Sequence, residues 1–181
     1  MNILLYYLIF AFAADMYLRY FAKGYQLTLG LNHVYYLIEY IFIMSIITVW
    51  QETLRIKRLF QALMLLYILF WIIAKFTFEP LTGLYSVIAG TSQGLLVISA
   101  EFTLFVFIRD RIHPVINHYR FWVLLSFVIY YAGTLLIITS RGMLLHYSTE
   151  AFFLVTSIDW SLKILFNILF TVGFLCPQTK A

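Results

Sequence analysis

The sequence predicts an all-α fold: a polytopic transmembrane helix bundle of about six spanning helices, forming a single domain over residues 1–181. Three observations predict it. Hydrophobic residues make up 64% of the chain and charged residues 11%, whereas soluble domains average about 45–50% and about 25%. So few charges cannot cover the surface of a soluble domain of this size, so lipid must be the solvent for most of the exterior. Apolar stretches of the length a bilayer requires, about 20 residues, recur along the chain, and the helix breakers and most of the charges fall between them.

Taken in order, the spans are expected over residues 2–22, 33–50, 59–78, 83–108, 119–139 and 150–175. The first opens at the N-terminus. Its Ala11-Phe12-Ala13 matches a small-x-small processing site, but no Lys or Arg precedes the apolar run, so an uncleaved helix is expected. Residues Gly24 to Asn32 form the next connection, and the second span runs to Trp50. The polar run Gln51 to Arg58 precedes the third, whose one polar face is Tyr67, Trp71 and Lys75. That poverty of polar residues marks it as a lipid-exposed outer helix. Glu79-Pro80 ends it. Arg109 to His118, with Pro114, separates the fourth span from the fifth, and Ser140 to Thr149 separates the fifth from the sixth. Every proline falls at or beyond a helix end, where its missing N–H costs least.

Orientation follows from the Lys/Arg distribution, since basic residues are retained on the cytoplasmic side. Arg55, Lys57, Arg58, Arg109, Arg111, Arg120 and Lys180 share one side; the other holds only Arg19, Lys23, Lys75 and Arg141. Both termini are therefore expected in the cytoplasm, with Trp50, Tyr119 and Trp122 in the interfacial belts. The net charge of +4 lies in loops, so the expected partner is the lipid bilayer. No basic, aromatic-interleaved patch suggests nucleic acid.

Charges at bilayer depth cost about 2.5–3.5 kcal/mol even on the lenient insertion scale, so each needs a partner or a wet cavity. Asp15, Glu39, Glu101, Asp159 and Lys163 qualify. In the last helix Thr156, Asp159, Lys163, Asn167 and Thr171 share one face. Three readings stand there: a structural ion pair with Asn167 as interhelical glue, a polar cavity in which Asp159 and Lys163 bind a ligand or relay a proton, or, last, a lipid-facing stripe. In the fourth helix Ser86, Gly90 and Gly94 form a small-xxx-small seam, predicting close helix packing. Glu101 continues that face and is expected to point inward, either as a polar lock or as part of a relay. Asp15 has Arg19 at i+4, an interfacial pair. Trp122, Ser126, Tyr130 and Thr134 repeat every four residues in the fifth helix and are expected to pack on the polar face of the last. Glu39, Glu101, Asp159, Lys163, Asn167 and Tyr130 are thus the candidate ligand-binding or proton-relay residues.

Catalytic sets do not assemble. His33, His113, His118 and His146 lie at loops or predicted membrane edges without paired helical spacing, and Cys176 is alone. Zinc catalysis, haem and cysteine-based clusters are not expected. No nucleophile elbow, phosphate loop or dinucleotide fingerprint appears. The expectation is a protein that is not an enzyme and carries no cofactor.

Several stretches resemble an uncharacterised family of small multi-helix membrane proteins of Bacteroidetes-type bacteria. They are Ala14-Asp15, His33 to Glu39, Ser99-Ala100-Glu101, Phe121-Trp122 with Tyr130-Tyr131-Ala132-Gly133, and Asn167-Ile168-Leu169 with Gly173-Phe174. The resemblance implies a six- to seven-span bundle, some members being encoded beside sensor histidine kinases, and hence a kinase or other membrane signalling partner. The function expected is a sensory or regulatory receptor-like module with an interior polar site. A small proton-coupled transporter using Asp159, Lys163 and Glu101 is the alternative, and an in-membrane lipid enzyme ranks last.

Overall fold

The computed structural model describes residues 2–20, 25–81, 87–110, 115–144 and 149–176. Six α-helices occupy almost all of them, and no strand occurs among the described residues. They are α1 (Asn2–Tyr20), α2 (Tyr25–Trp50), α3 (Leu54–Thr77), α4 (Val87–Arg109), α5 (Tyr119–Leu144) and α6 (Thr149–Leu175), with a single 3-10 turn at Val115–Asn117. The expected all-α transmembrane fold is the one observed. Five helices, α2 to α6, contain segments long and apolar enough to cross a bilayer. In α1 the apolar stretch among the described residues is the shorter Ile3–Ala14.

The helix boundaries differ most at α2. The connection expected from Gly24 to Asn32 is helical from Tyr25 onward. Gly30 and Asn32 are poor helix formers, but their propensity deficit, about 1 kcal/mol at most per residue, is small beside the need to satisfy backbone groups internally in lipid. The connection between α2 and α3 shrinks for the same reason. Only Gln51 to Thr53 remain outside helices, with the Gln51 amide bonded to the Thr48 carbonyl at 3.2 Å. Thr53 enters α3 in extended conformation, and so short a turn makes α2 and α3 antiparallel neighbours.

The chain forms two compact units that divide inside α4, between Ser92 and Gln93. In the first, α2 packs against both α1 and α3. Phe10 of α1 stacks on Tyr35 at 5.9 Å and lies 5.5 Å from Phe42. On the other side of α2, Tyr40 and Tyr67 bring their ring centroids to 4.1 Å, and Ile43, Met44 and Ile47 are fully buried. Most of α3 is exposed, as expected of an outer helix. Its Tyr67–Trp71–Lys75 face nevertheless turns toward protein, with Tyr67 and Ala74 buried.

In the second unit α5 packs along α6. Their seam is aromatic: Phe127 lies 6.1 Å from both Phe166 and Phe170, and Tyr130 lies 4.9 Å from Phe166. Gly133 and Gly173 permit this approach. A methyl on Gly133 would collide with a Leu162 methyl, and one on Gly173 would sit 3.2–3.3 Å from Val123, Trp122 and Tyr119. The seam expected at Ser86, Gly90 and Gly94 is different. A Cβ on Gly90 or Gly94 would meet nothing within 4 Å, and Ser86 lies outside the described residues. Small residues allow close approach, but a neighbouring helix must occupy the space for a seam to form.

Candidate functional site

In the first unit His33, Lys75 and Glu79 meet where the N-terminal half of α2 passes the end of α3. Because the two helices are antiparallel, the first turns of α2 lie beside the last turns of α3. His33 is 1% exposed, and its Nδ1 lies 2.7 Å from Nζ of Lys75. The ammonium also donates to the Glu79 carbonyl at 3.2 Å and lies 5.4 Å from the Trp71 ring centroid. A protonated lysine can only donate, so Nδ1 accepts and the ring proton of neutral His33 sits on Nε2.

Glu79 completes the group. Past the end of α3 the chain folds back, its amide bonding the Ala74 carbonyl at 2.9 Å, and Pro80 prevents further helix. This turn carries the Glu79 side chain inward, where it is 5% exposed. Its Oε2 accepts the Ile88 amide at 3.1 Å, satisfying one of the donors left open in the first turn of α4. Its Oε1 lies 3.9 Å from His33 Nδ1 and has no hydrogen-bond partner. The Ile88 carbonyl accepts from Tyr67 at 3.3 Å, which extends the group to the tilted Tyr40–Tyr67 ring pair.

Three buried polar atoms lack a hydrogen bond among the described residues: Tyr40 Oη, Trp71 Nε1 and Glu79 Oε1. All belong to the first unit, and all belong to this group or its direct neighbours. Unpaired buried polar atoms cost about 1–3 kcal/mol each and mark strain or function. No set of three or more His, Cys, Asp or Glu suited to a metal occurs among the described residues.

The expected site residues distribute differently. Glu39 is buried and accepts hydrogen bonds from Tyr7 at 3.4 Å and Tyr35 at 3.5 Å. It therefore ties α1 to α2 inside the first unit. Glu101 faces outward, contrary to expectation. The buried residues near it are Ser99, Ala100 and Thr103, so α4 presents the opposite side to protein. Asp159 and Lys163 do form their i,i+4 ion pair, 2.8 Å long, but the lysine side chain is 48% exposed. Asn167 and Thr171 are exposed too. The polar face of α6 points away from α5, whose stripe meets other partners. Tyr130 packs on Phe166, and Thr134 donates to Gln93 of α4 at 3.0 Å. Aromatic surface displaced polar surface from the α5–α6 seam because Phe166 and Phe170 bury far more area there.

His118, in the connection expected between the fourth and fifth spans, is buried, 5.2 Å from Phe107 and accepting the Arg120 amide at 3.2 Å. His113, His146 and Lys180, and the side chains of Asp15, Arg19 and Arg141, lie outside the described residues. Comparison of the chain with protein-family models, with curated proteins and with solved structures finds no match.

Sequence alone does not bring His33, Lys75 and Glu79 together: His33 reads as a membrane edge, Lys75 as part of the polar face of the third span, and Glu79 as a helix end. One signal was available. Two helices joined by a short turn must bring the start of the first to the end of the second, and both of these ends carry ionisable residues.

Proposed function

We propose that this multi-pass membrane protein is a receptor-like sensory or regulatory module, without catalysis of its own, whose input is received at His33, Lys75 and Glu79. One observation carries the proposal. The same nitrogen of buried His33 lies 2.7 Å from an ammonium and 3.9 Å from an unpaired carboxylate oxygen. It therefore has two alternative partners. With His33 neutral, Nδ1 accepts from Lys75. With His33 protonated, Nδ1–H repels the ammonium and donates to Glu79 Oε1. The charged groups that face His33 from α3 and its end are Lys75 and Glu79; from α1, the side chains of Asp15 and Arg19 lie outside the described residues.

The exchange has a route outward. The other oxygen of Glu79 holds the Ile88 amide, so a shift of the carboxylate pulls on the first turn of α4. That helix continues by covalent connection into the second unit. The basic runs Arg55–Arg58 and Arg109–Arg120 place the His33–Glu79 end on the outer side of an inner membrane, with the C-terminus cytoplasmic. Each of these basic runs, the first opening α3 and the second following α4 in the chain, offers a contact for a signalling partner such as a histidine kinase. A proton relay through Asp159, Lys163 and Glu101 draws less support, because Glu101 and Lys163 occupy exposed faces.

Nitrogen NMR of labelled histidine in lipid nanodiscs tests the reading. Acidification is expected to move His33 from the Nε2–H tautomer to the doubly protonated ring, and to change hydrogen exchange at Ile88 in step. Glu79→Gln is expected to uncouple the two. A His33 state constant across pH 5–8, or proton flux in vesicles that Lys75→Met abolishes, would overturn the sensory assignment.

A further inference from the structure

The exposed polar face of α6 requires a partner, and its chemistry selects one. The face lies within the apolar segment Phe153–Leu175, where lipid offers neither donor nor acceptor. Asp159, Lys163, Asn167 and Thr171 mark it. Thr171 satisfies its hydroxyl on the Asn167 carbonyl at 2.7 Å. The others are only partly satisfied. Asn167 Nδ2 donates one hydrogen bond, to the Lys163 carbonyl at 2.8 Å, which leaves a second N–H and Oδ1 open. Lys163 spends one of its three N–H groups on Asp159 Oδ2. Just beyond, a shallow groove opens along the same face, lined by Ile164, Asn167, Ile168, Thr171 and Val172. The spacing of these residues is that of a helix–helix contact surface.

We propose that this face is the interface with a second copy of the same chain, formed by α6 against α6. Two copies inserted by the same route share one orientation, so their symmetry axis runs along the membrane normal, and residues at equal depth meet. Asn167 then faces its counterpart. An amide is both donor and acceptor, so the pair is complementary to itself, and the open N–H of each reaches the open Oδ1 of the other. The charges also match. The Lys163 side chain reaches back one turn to Asp159, bringing Nζ to the depth of the carboxylate. Each copy thus presents a neutral plus–minus pair at a single level. Rotation about the axis sets each Nζ against the carboxylate of the other copy and not against its own kind. Ile164 and Ile168 flank the amide pair and exclude lipid from it. A solitary charge on this face would have called for an oppositely charged foreign helix; a neutral pair with a self-complementary amide calls for a copy of itself.

Single-cysteine cross-linking in native membranes tests this. With Cys176 replaced by Ser, Ile168→Cys and Ile164→Cys are expected to give disulfide-linked dimers under mild oxidation. Leu65→Cys and Leu69→Cys, on the exposed side of α3, are expected to remain monomeric. Asn167→Leu is expected to weaken self-association about 3- to 20-fold, the range for an interhelical hydrogen bond in lipid, read by fluorescence transfer as the unmodified protein is diluted with lipid. Circular dichroism confirms that each variant is folded. Monomers at every lipid dilution would overturn the proposal, as would equal cross-linking from α3 and α6, or an Asn167→Leu protein that associates like the parent.

Discussion

The two units of this protein differ in where their charged side chains meet: inside the first, and on an outward face of α6 in the second. In the first, His33, Glu39 and Glu79 are buried, and Lys75 reaches in to bond one and lie beside another. In the second, Glu101 and Lys163 are exposed, Asp159 is part-buried beside Lys163, and the seam of α5 and α6 is Phe127, Tyr130, Phe166 and Phe170. The contrast bears on how each unit is specified. An aromatic seam has a large apolar area and tolerates small shifts, so it stabilises without defining alternative states. A buried histidine and carboxylate with a part-buried lysine, one carboxylate oxygen lacking a hydrogen bond, have discrete arrangements separated by a proton transfer or a ligand. On the proposed reading, the first unit responds and the second holds.

Substitutions can break that comparison, and the largest effect is expected at the seam. Phe127→Ala removes the ring that bridges Phe166 and Phe170 and leaves a cavity, with a cost of about 3–5 kcal/mol. Denaturant unfolding in micelles measures it, and a loss below 1 kcal/mol would show that the seam is not what holds the second unit. Lys75→Met comes next. It leaves Glu79 and His33 without their cation, at a cost of about 1–3 kcal/mol for the buried groups stranded. The matched change Lys163→Met breaks a half-exposed pair and is expected to cost under about 1 kcal/mol when the protein is monomeric in detergent. Equal losses from the two lysines would erase the distinction between the units.

The glycines sharpen the comparison at smaller magnitude. Gly133→Ala pushes on the flexible tip of Leu162 and is expected to cost about 1 kcal/mol through overpacking. Gly90→Ala meets open space and is expected to stabilise by up to about 1 kcal/mol through helix propensity. Thermal scans of the pair give the sign directly. The smallest effect lies outside the membrane, at Asp110. The Arg109 guanidinium, 2.7 Å away, holds its carboxyl below the usual carboxylate range. The pair therefore contributes above the ordinary pKa of about 3.9 and is lost as pH falls through the lower folded value. Both groups are fully exposed, so Asp110→Asn is expected to leave the unfolding midpoint unchanged at pH 7, while carbon NMR reads the lowered titration.

Composition alone settled the solvent of this protein, because a chain that is 64% hydrophobic has no other way to meet water. Helical length and breakers then located α3 to α6 within a few residues, since each helix in lipid must satisfy its own backbone whatever surrounds it. The i,i+4 pair of Asp159 and Lys163 was legible for the same reason: it is a contact within one helix. Which way a face points was not legible. Glu101, Gly94 and Asn167 were each placed on a helix correctly and then turned toward protein, and the structure turns Glu101 and Asn167 outward and leaves open space at Gly94. Periodicity fixes neighbours around a helix but not its rotation, and in a chain that is apolar on nearly every side the hydrophobic pattern gives no bearing. The group of His33, Lys75 and Glu79 depends on that rotation in two helices and on the reversal at Pro80. Only the tertiary structure decided it, because the contacts that orient α2 and α3, such as Tyr40 on Tyr67, join residues far apart in the chain.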